Sequence, residues 1–152
     1  MIKFDFFIIL SFFSIAGYAQ KEIPLSHPYS KEYVDACTKK MLETGNSYDY
    51  EIYCCHANQR NLLYDMLMAD KYNNPLACYM VYFNITNMGK TYNYSIDREL
   101  WNVAFYYLQK GAEYNQSNCI FELIRIYEKG NAFVSADIIK ANYYREKQKL
   151  LK

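Results

Sequence analysis

Residues 117–147 read SNCIFELIRIYEKGNAFVSADIIKANYYREK, and the fold is decided there. Cys119, Leu123, Ile126 and Tyr127 recur at three- and four-residue spacing, which puts one apolar face on a helix over about 117–129. Gly130 ends that helix, because glycine supplies the left-handed conformation of a helix cap. Ser135-Ala136-Asp137 opens the next one, which runs to about Leu151. Serine accepts from free amides there, and aspartate favours the positive helix start.

The same punctuation occurs twice more, as Gly45…Ser47-Tyr48-Asp49 and Gly89…Ser95-Ile96-Asp97. At an offset of 41, Cys78 aligns with Cys119, Tyr82 with Leu123, Phe83 with Ile124 and Gly89 with Gly130. Past the aspartates, Ala104-Phe105-Tyr106-Tyr107 with Lys110 matches Ala141-Asn142-Tyr143-Tyr144 with Lys147. Tyr72-Asn73 and Tyr114-Asn115 mark corresponding turns. Working backwards, helices are expected from a Ser30 cap to Thr44, over about 49–71, from Pro75 to a stop at Gly89, and over about 97–114. Only 5 glycines and 3 prolines accompany 18 tyrosines, too few turn formers for an all-β chain. The expected class is all-α, six helices in three pairs with short connections.

These residues resemble the Sel-one-like repeats of the tetratricopeptide superfamily. Cys119, Leu123, Tyr127, Gly130, Val134, Asp137, Lys140-Ala141 and Tyr143-Tyr144 with Lys147 fall in that unit's order, and Lys110-Gly111-Ala112-Glu113 resembles its helix end. The match covers 97–147 and, in part, 73–96. Over 31–72 only the Gly/Ser/Asp punctuation persists, and Ile124 stands where the family usually has glycine. The resemblance implies an α-solenoid of about three antiparallel pairs, near 31–72, 73–114 and 115–152, that binds proteins or peptides without catalysis. Secreted members carry a disulfide in each repeat. This chain lacks the second cysteine of that pattern near Gly111-Ala112.

The first residues read as a targeting segment. Lys3 precedes an apolar stretch from Phe6 to Ile15, and Gly17 and Ala19 suit the small subsites of a signal peptidase. The stretch is shorter than the ~20 apolar residues of a membrane span. Residues 1–19 are therefore expected to be a cleaved signal peptide, 20–30 an extended leader with Pro24 and Pro28, and 31–152 the helical domain. No membrane span is expected after cleavage. Residue usage and the signal end point to an exported bacterial protein, periplasmic or secreted. A net charge of +1 gives no footing for nucleic acid.

Chemistry-bearing constellations are few. His27 and His56 are the only histidines, and Cys54-Cys55-His56 cannot turn three ligands to one helix face. No Gly-rich phosphate loop or nucleophile elbow occurs, so no metal, cofactor or catalytic residue is assigned. Of the 5 cysteines, Cys37 lies level with Cys54 in a hairpin about Gly45–Asn46, so a bridge from Cys37 to Cys54 or Cys55 is expected. Cys78 and Cys119 read as small buried hydrophobes. Three glycosylation triplets begin at Asn84, Asn93 and Asn115, and they matter only in a host that glycosylates.

The stripe left over when the 41-offset helices are superposed pairs Val81 with Glu122, Asn84 with Arg125 and Met88 with Lys129. Val81, Asn84, Glu122 and Arg125 are the expected partner-binding residues, the ordinary solvated face being the alternative. The leading function is an exported scaffold for a protein or peptide. An exported inhibitor or immunity protein that occludes an enzyme is the alternative, and a cell-envelope enzyme the third. Protein from its native host should begin at Gln20, and an intact mass that retains Met1 refutes export with cleavage.

Overall fold

Each helix starts where a side chain can accept from free backbone amides. A computed structural model describes residues 29–56, 61–91 and 95–151 of the protein, and these hold seven α-helices and no strand. Ser30 caps α1 (Lys31–Thr44), accepting from Tyr33 N at 3.3 Å. Asn46 accepts from Asp49 N at 3.0 Å at the start of α2 (Ser47–His56). Asn61 caps α3 (Leu62–Lys71). Asn74 accepts from Ala77 N at 3.1 Å, with Pro75 as the first residue of α4 (Pro75–Thr91). Asp97, Gln116 and Asp137 cap α5 (Arg98–Glu113), α6 (Ser117–Lys129) and α7 (Ile138–Lys149). The expected signal peptide and all but the last two residues of the expected leader lie outside the described residues.

Five features differ from the sequence reading. The helix expected over 49–71 is two, α2 and α3. Asn61 is extended, with φ −118° and ψ 113°, and its amide donates to Tyr53 Oη at 2.6 Å, so a new helix begins there. Gly89 does not stop α4, which continues to Thr91; one glycine costs a helix interior only about 1 kcal/mol. In the first Ser-x-Asp the cap is Asn46, and Asp49 lies inside the helix, buried and paired with Lys40 at 3.0 Å. Gly45 is left-handed as expected, whereas Gly130 combines φ 69° with an extended ψ of 175°, a region essentially restricted to glycine.

The cysteines give the fifth difference. All five are thiols, and the expected bridge from Cys37 to Cys54, or to Cys55, is not formed. Cys37 packs with Val34 and Ile52 in a small cluster, while Cys54 belongs to the main core. Residues two apart on a helix point about 200° apart, so Ile52, not Cys54, faces Cys37. Cys55 is exposed.

Each helix packs mainly against its neighbours in the chain, and α1 also touches α3 as α4 touches α6. Phenol hydroxyls tie these layers together. Tyr50 Oη donates to the buried Asp65 carboxylate at 2.6 Å, and Asn84 Nδ2 donates to its other oxygen at 2.6 Å, joining α2, α3 and α4. Tyr72 Oη donates to the carbonyls of Leu42 and Glu43 at the end of α1, at 2.9 and 3.0 Å. Tyr107 Oη and Lys110 Nζ both reach Asp70, at 2.5 and 2.9 Å, fastening α5 to the end of α3.

Gly111 of α5 lies between the buried Cys78 of α4 and Cys119 of α6. A Cβ there would meet Cys119 Sγ at 2.4 Å and Cys78 Cβ at 3.0 Å. Tyr106 and Tyr107 meet edge-on at 5.2 Å and 74°, and Tyr143 and Tyr144 do so at 5.1 Å and 76°.

Two outcomes follow from this packing. Gly111→Ala should destabilise the protein by about 1–3 kcal/mol, as overpacking of a filled core does. Adding Cys119→Ala should recover part of that loss, since the tighter clash is with Sγ; denaturant melts of the single and double variants check both. The second outcome concerns alkali. Burial pushes the phenols of Tyr53, Tyr82 and Tyr144 up to about 12, and burial with nearby carboxylates pushes Tyr50 and Tyr107 higher. An unfolded tyrosine titrates near about 10 and so releases its proton first. The stabilisation is full below about pH 10 and is lost as pH rises through about 12. Urea midpoints should fall most steeply between the two values, the decline beginning near pH 9 because burial raises the Cys78 and Cys119 thiols in the same sense.

Candidate functional site

The four residues expected to form one recognition stripe separate in the structure. Val81 is fully buried in the core. Asn84 is half-buried, its amide held by Asp65. Val81 is thus removed from the surface, and Asn84 is engaged by Asp65, which the packing of α3 on α4 brings against it. Glu122 and Arg125 on α6 remain available. Arg125 Nε and Nη2 donate to Glu122 Oε2 at 3.0 and 2.7 Å, with the guanidinium side chain 56% exposed and the carboxylate side chain 19%. Their mutual hydrogen bond holds the guanidinium proton above its ordinary range.

Glu122 and Arg125 border an open groove of about 440 Å³. Tyr79 and Phe83 of α4 form the opposite wall, and Tyr82 and Trp101 contribute to its floor. Tyr82 is buried, whereas Phe83 stays 40% exposed and Tyr79 half-buried. The loop after α6 closes one end. Asn131 Oδ1 accepts from the amides of Phe133 and Val134 at 2.8 Å each, and Phe133 stacks on Trp101 at 5.2 Å and 19°.

Trp101 is the residue that sequence reasoning missed. Its ring is also stacked on Phe105 at 6.0 Å and met edge-on by Tyr82 at 6.3 Å. It is 7% exposed, and its buried Nε1 has no acceptor among the described residues. The chain holds one tryptophan, at the start of a helix and outside any repeated pattern, so its only sequence signal was its rarity.

A second groove, of about 520 Å³, runs between α6 and α7 and shares Arg125 and Lys129 with the first. Phe121 and Ile124 line it, together with Arg145 and Lys149 of α7. Arg145 pairs with Glu128, and Lys149 with Glu146 at 2.7 Å.

The described residues contain no cluster of three side chains that could hold a metal ion and no helix long and apolar enough to cross a membrane. No family model, curated protein or solved structure matches the chain significantly.

Proposed function

We propose that the protein is an exported, non-catalytic helical-repeat scaffold that holds a protein or peptide in the groove between α4 and α6. In this reading α1 with α2–α3, α4 with α5, and α6 with α7 are three antiparallel pairs of a short solenoid. Several equivalences support the pairing. Cys78 and Cys119 take matching places against Gly111, Asp97 and Asp137 cap matching helices, and the two Tyr-Tyr pairs share one geometry.

The observation that carries the function is the groove itself: an aromatic trough beside an exposed Arg–Glu pair, with a buried indole donor that finds no acceptor among the described residues. Aromatic residues and arginine dominate binding energy at protein interfaces. Export rests on the signal-like residues 1–19 alone.

The test starts from affinity purification of the native protein from its own envelope, followed by titration of the purified partner. Arg125→Ala and Glu122→Ala should each weaken that complex by about fivefold or more. Their Tm should stay within a few degrees of the parent, because an exposed pair contributes only about 0.2–1 kcal/mol to stability. Val81→Ala should do the reverse, lowering Tm with little effect on affinity. Parent-like affinity in both α6 variants refutes the groove assignment.

A further inference from the structure

The groove's unmet groups share one chemical sense. Trp101 Nε1, buried and without an acceptor among the described residues, is a hydrogen-bond donor. Among the charged side chains lining the groove, Glu122 and Arg125 satisfy each other, while Lys129 has no ion pair among the described residues. Lys129 stands where the two grooves meet. Over both linings the cations are Arg125, Lys129, Arg145 and Lys149, and the carboxylates are Glu122 and Glu128. Cations thus outnumber carboxylates, Lys129 is left without an ion pair among the described residues, and the walls offer apolar area at Phe83 and Phe121, which are 40% and 56% exposed.

We propose that the occupant of this surface is an acidic peptide segment, with a carboxylate set at Lys129 and an aromatic or aliphatic side chain against Tyr79 and Phe83. This rests on the groove being a peptide site. The two carboxylates in the linings disfavour a polyphosphate chain, whose closely spaced charges would face Glu122 and Glu128. A peptide can place one or two negative charges among apolar side chains, which matches a surface of mixed composition with a modest cationic excess. Charge complementarity of this kind fixes register and raises the association rate.

The protein carries its own reporter, since Trp101 is its only tryptophan and lies in the groove. Random short peptides displayed on phage are selected on the purified protein, and the enriched sequences are synthesised without tryptophan and titrated by Trp101 emission. The expected result is enrichment of net-acidic peptides with at least one large apolar residue, whose binding shifts that emission. Lys129→Glu should weaken them about tenfold, a difference of about 1.4 kcal/mol. Lys39→Glu, on exposed α1 surface, should leave them unchanged. Added salt should narrow the gap between parent and Lys129→Glu. Enriched peptides that move Trp101 emission but are neutral or basic overturn the acidic occupant and leave the groove assignment standing. Acidic peptides that bind without moving the emission, and are indifferent to Arg125→Ala, overturn the placement in the groove. Failure to enrich any peptide overturns both.

Discussion

Between Cys78 and Cys119 the structure leaves room for a hydrogen atom, and Gly111 supplies one. Any side chain on that position of α5 would drive the helix away from its neighbours on both sides. The close approach lets α5 sit deep enough beneath α4 and α6 for those two helices to touch. The aromatic trough depends on this, because its walls come from α4 and α6 and part of its floor from the first turn of α5. Protein interiors pack at near-crystalline density, so a displacement at Gly111 would propagate to Trp101 ten residues away on the same helix.

The unusual tyrosine content has a mechanical explanation. Each ring supplies apolar bulk, while its hydroxyl finds a carbonyl or carboxylate at the far end. Tyr72 secures the last carbonyls of α1, Tyr50 and Tyr107 hold carboxylates of α3, and Tyr53 accepts the amide at the α3 cap. These are junctions between elements, and a phenylalanine would fill the same volume without making them. Tyr72 has a further role: its ring lies where a Cβ of Gly45 would be, so the turn after α1 and the turn after α3 are fitted to each other. Asn73 and Asn115, both with positive φ, make the matching turns before α4 and α6, and Tyr114 Oη donates to Asn73 Oδ1 at 3.2 Å.

The helices were legible because their limits are local chemistry. Ser30, Asn74-Pro75, Asp97 and Asp137 act through their own neighbouring amides, and a pattern of a few residues is enough to read them. The break at Asn61 was not, because what fixes it is the hydroxyl of Tyr53 on the other side of the break. Asn84 is drawn out of the expected stripe for a related reason. The sequence shows α4 and α6 as similar amphipathic helices, but α3 brings Asp65 onto α4. Half of the candidate site, Glu122 and Arg125, was readable from helical spacing. The other half, Trp101 with Phe133, comes together only through a loop conformation held by Asn131.

The sealed thiols bear on how the chain reaches this state. Burial pushes the Cys78 thiol up to about 11 and Cys119 beyond it, so neither is a competent nucleophile once folded. In the unfolded chain both are ordinary reactive thiols. In an oxidising compartment the protein is therefore in a race, in which α4, α5 and α6 must close around Gly111 before an oxidant captures either sulfur. A cysteine trapped early in a mixed disulfide carries a bulky group into a space that already excludes a methyl, and that molecule cannot finish folding. Yield then depends on the rate of helix docking relative to thiol oxidation, a kinetic selection acting on a protein whose finished form contains no disulfide among its described residues.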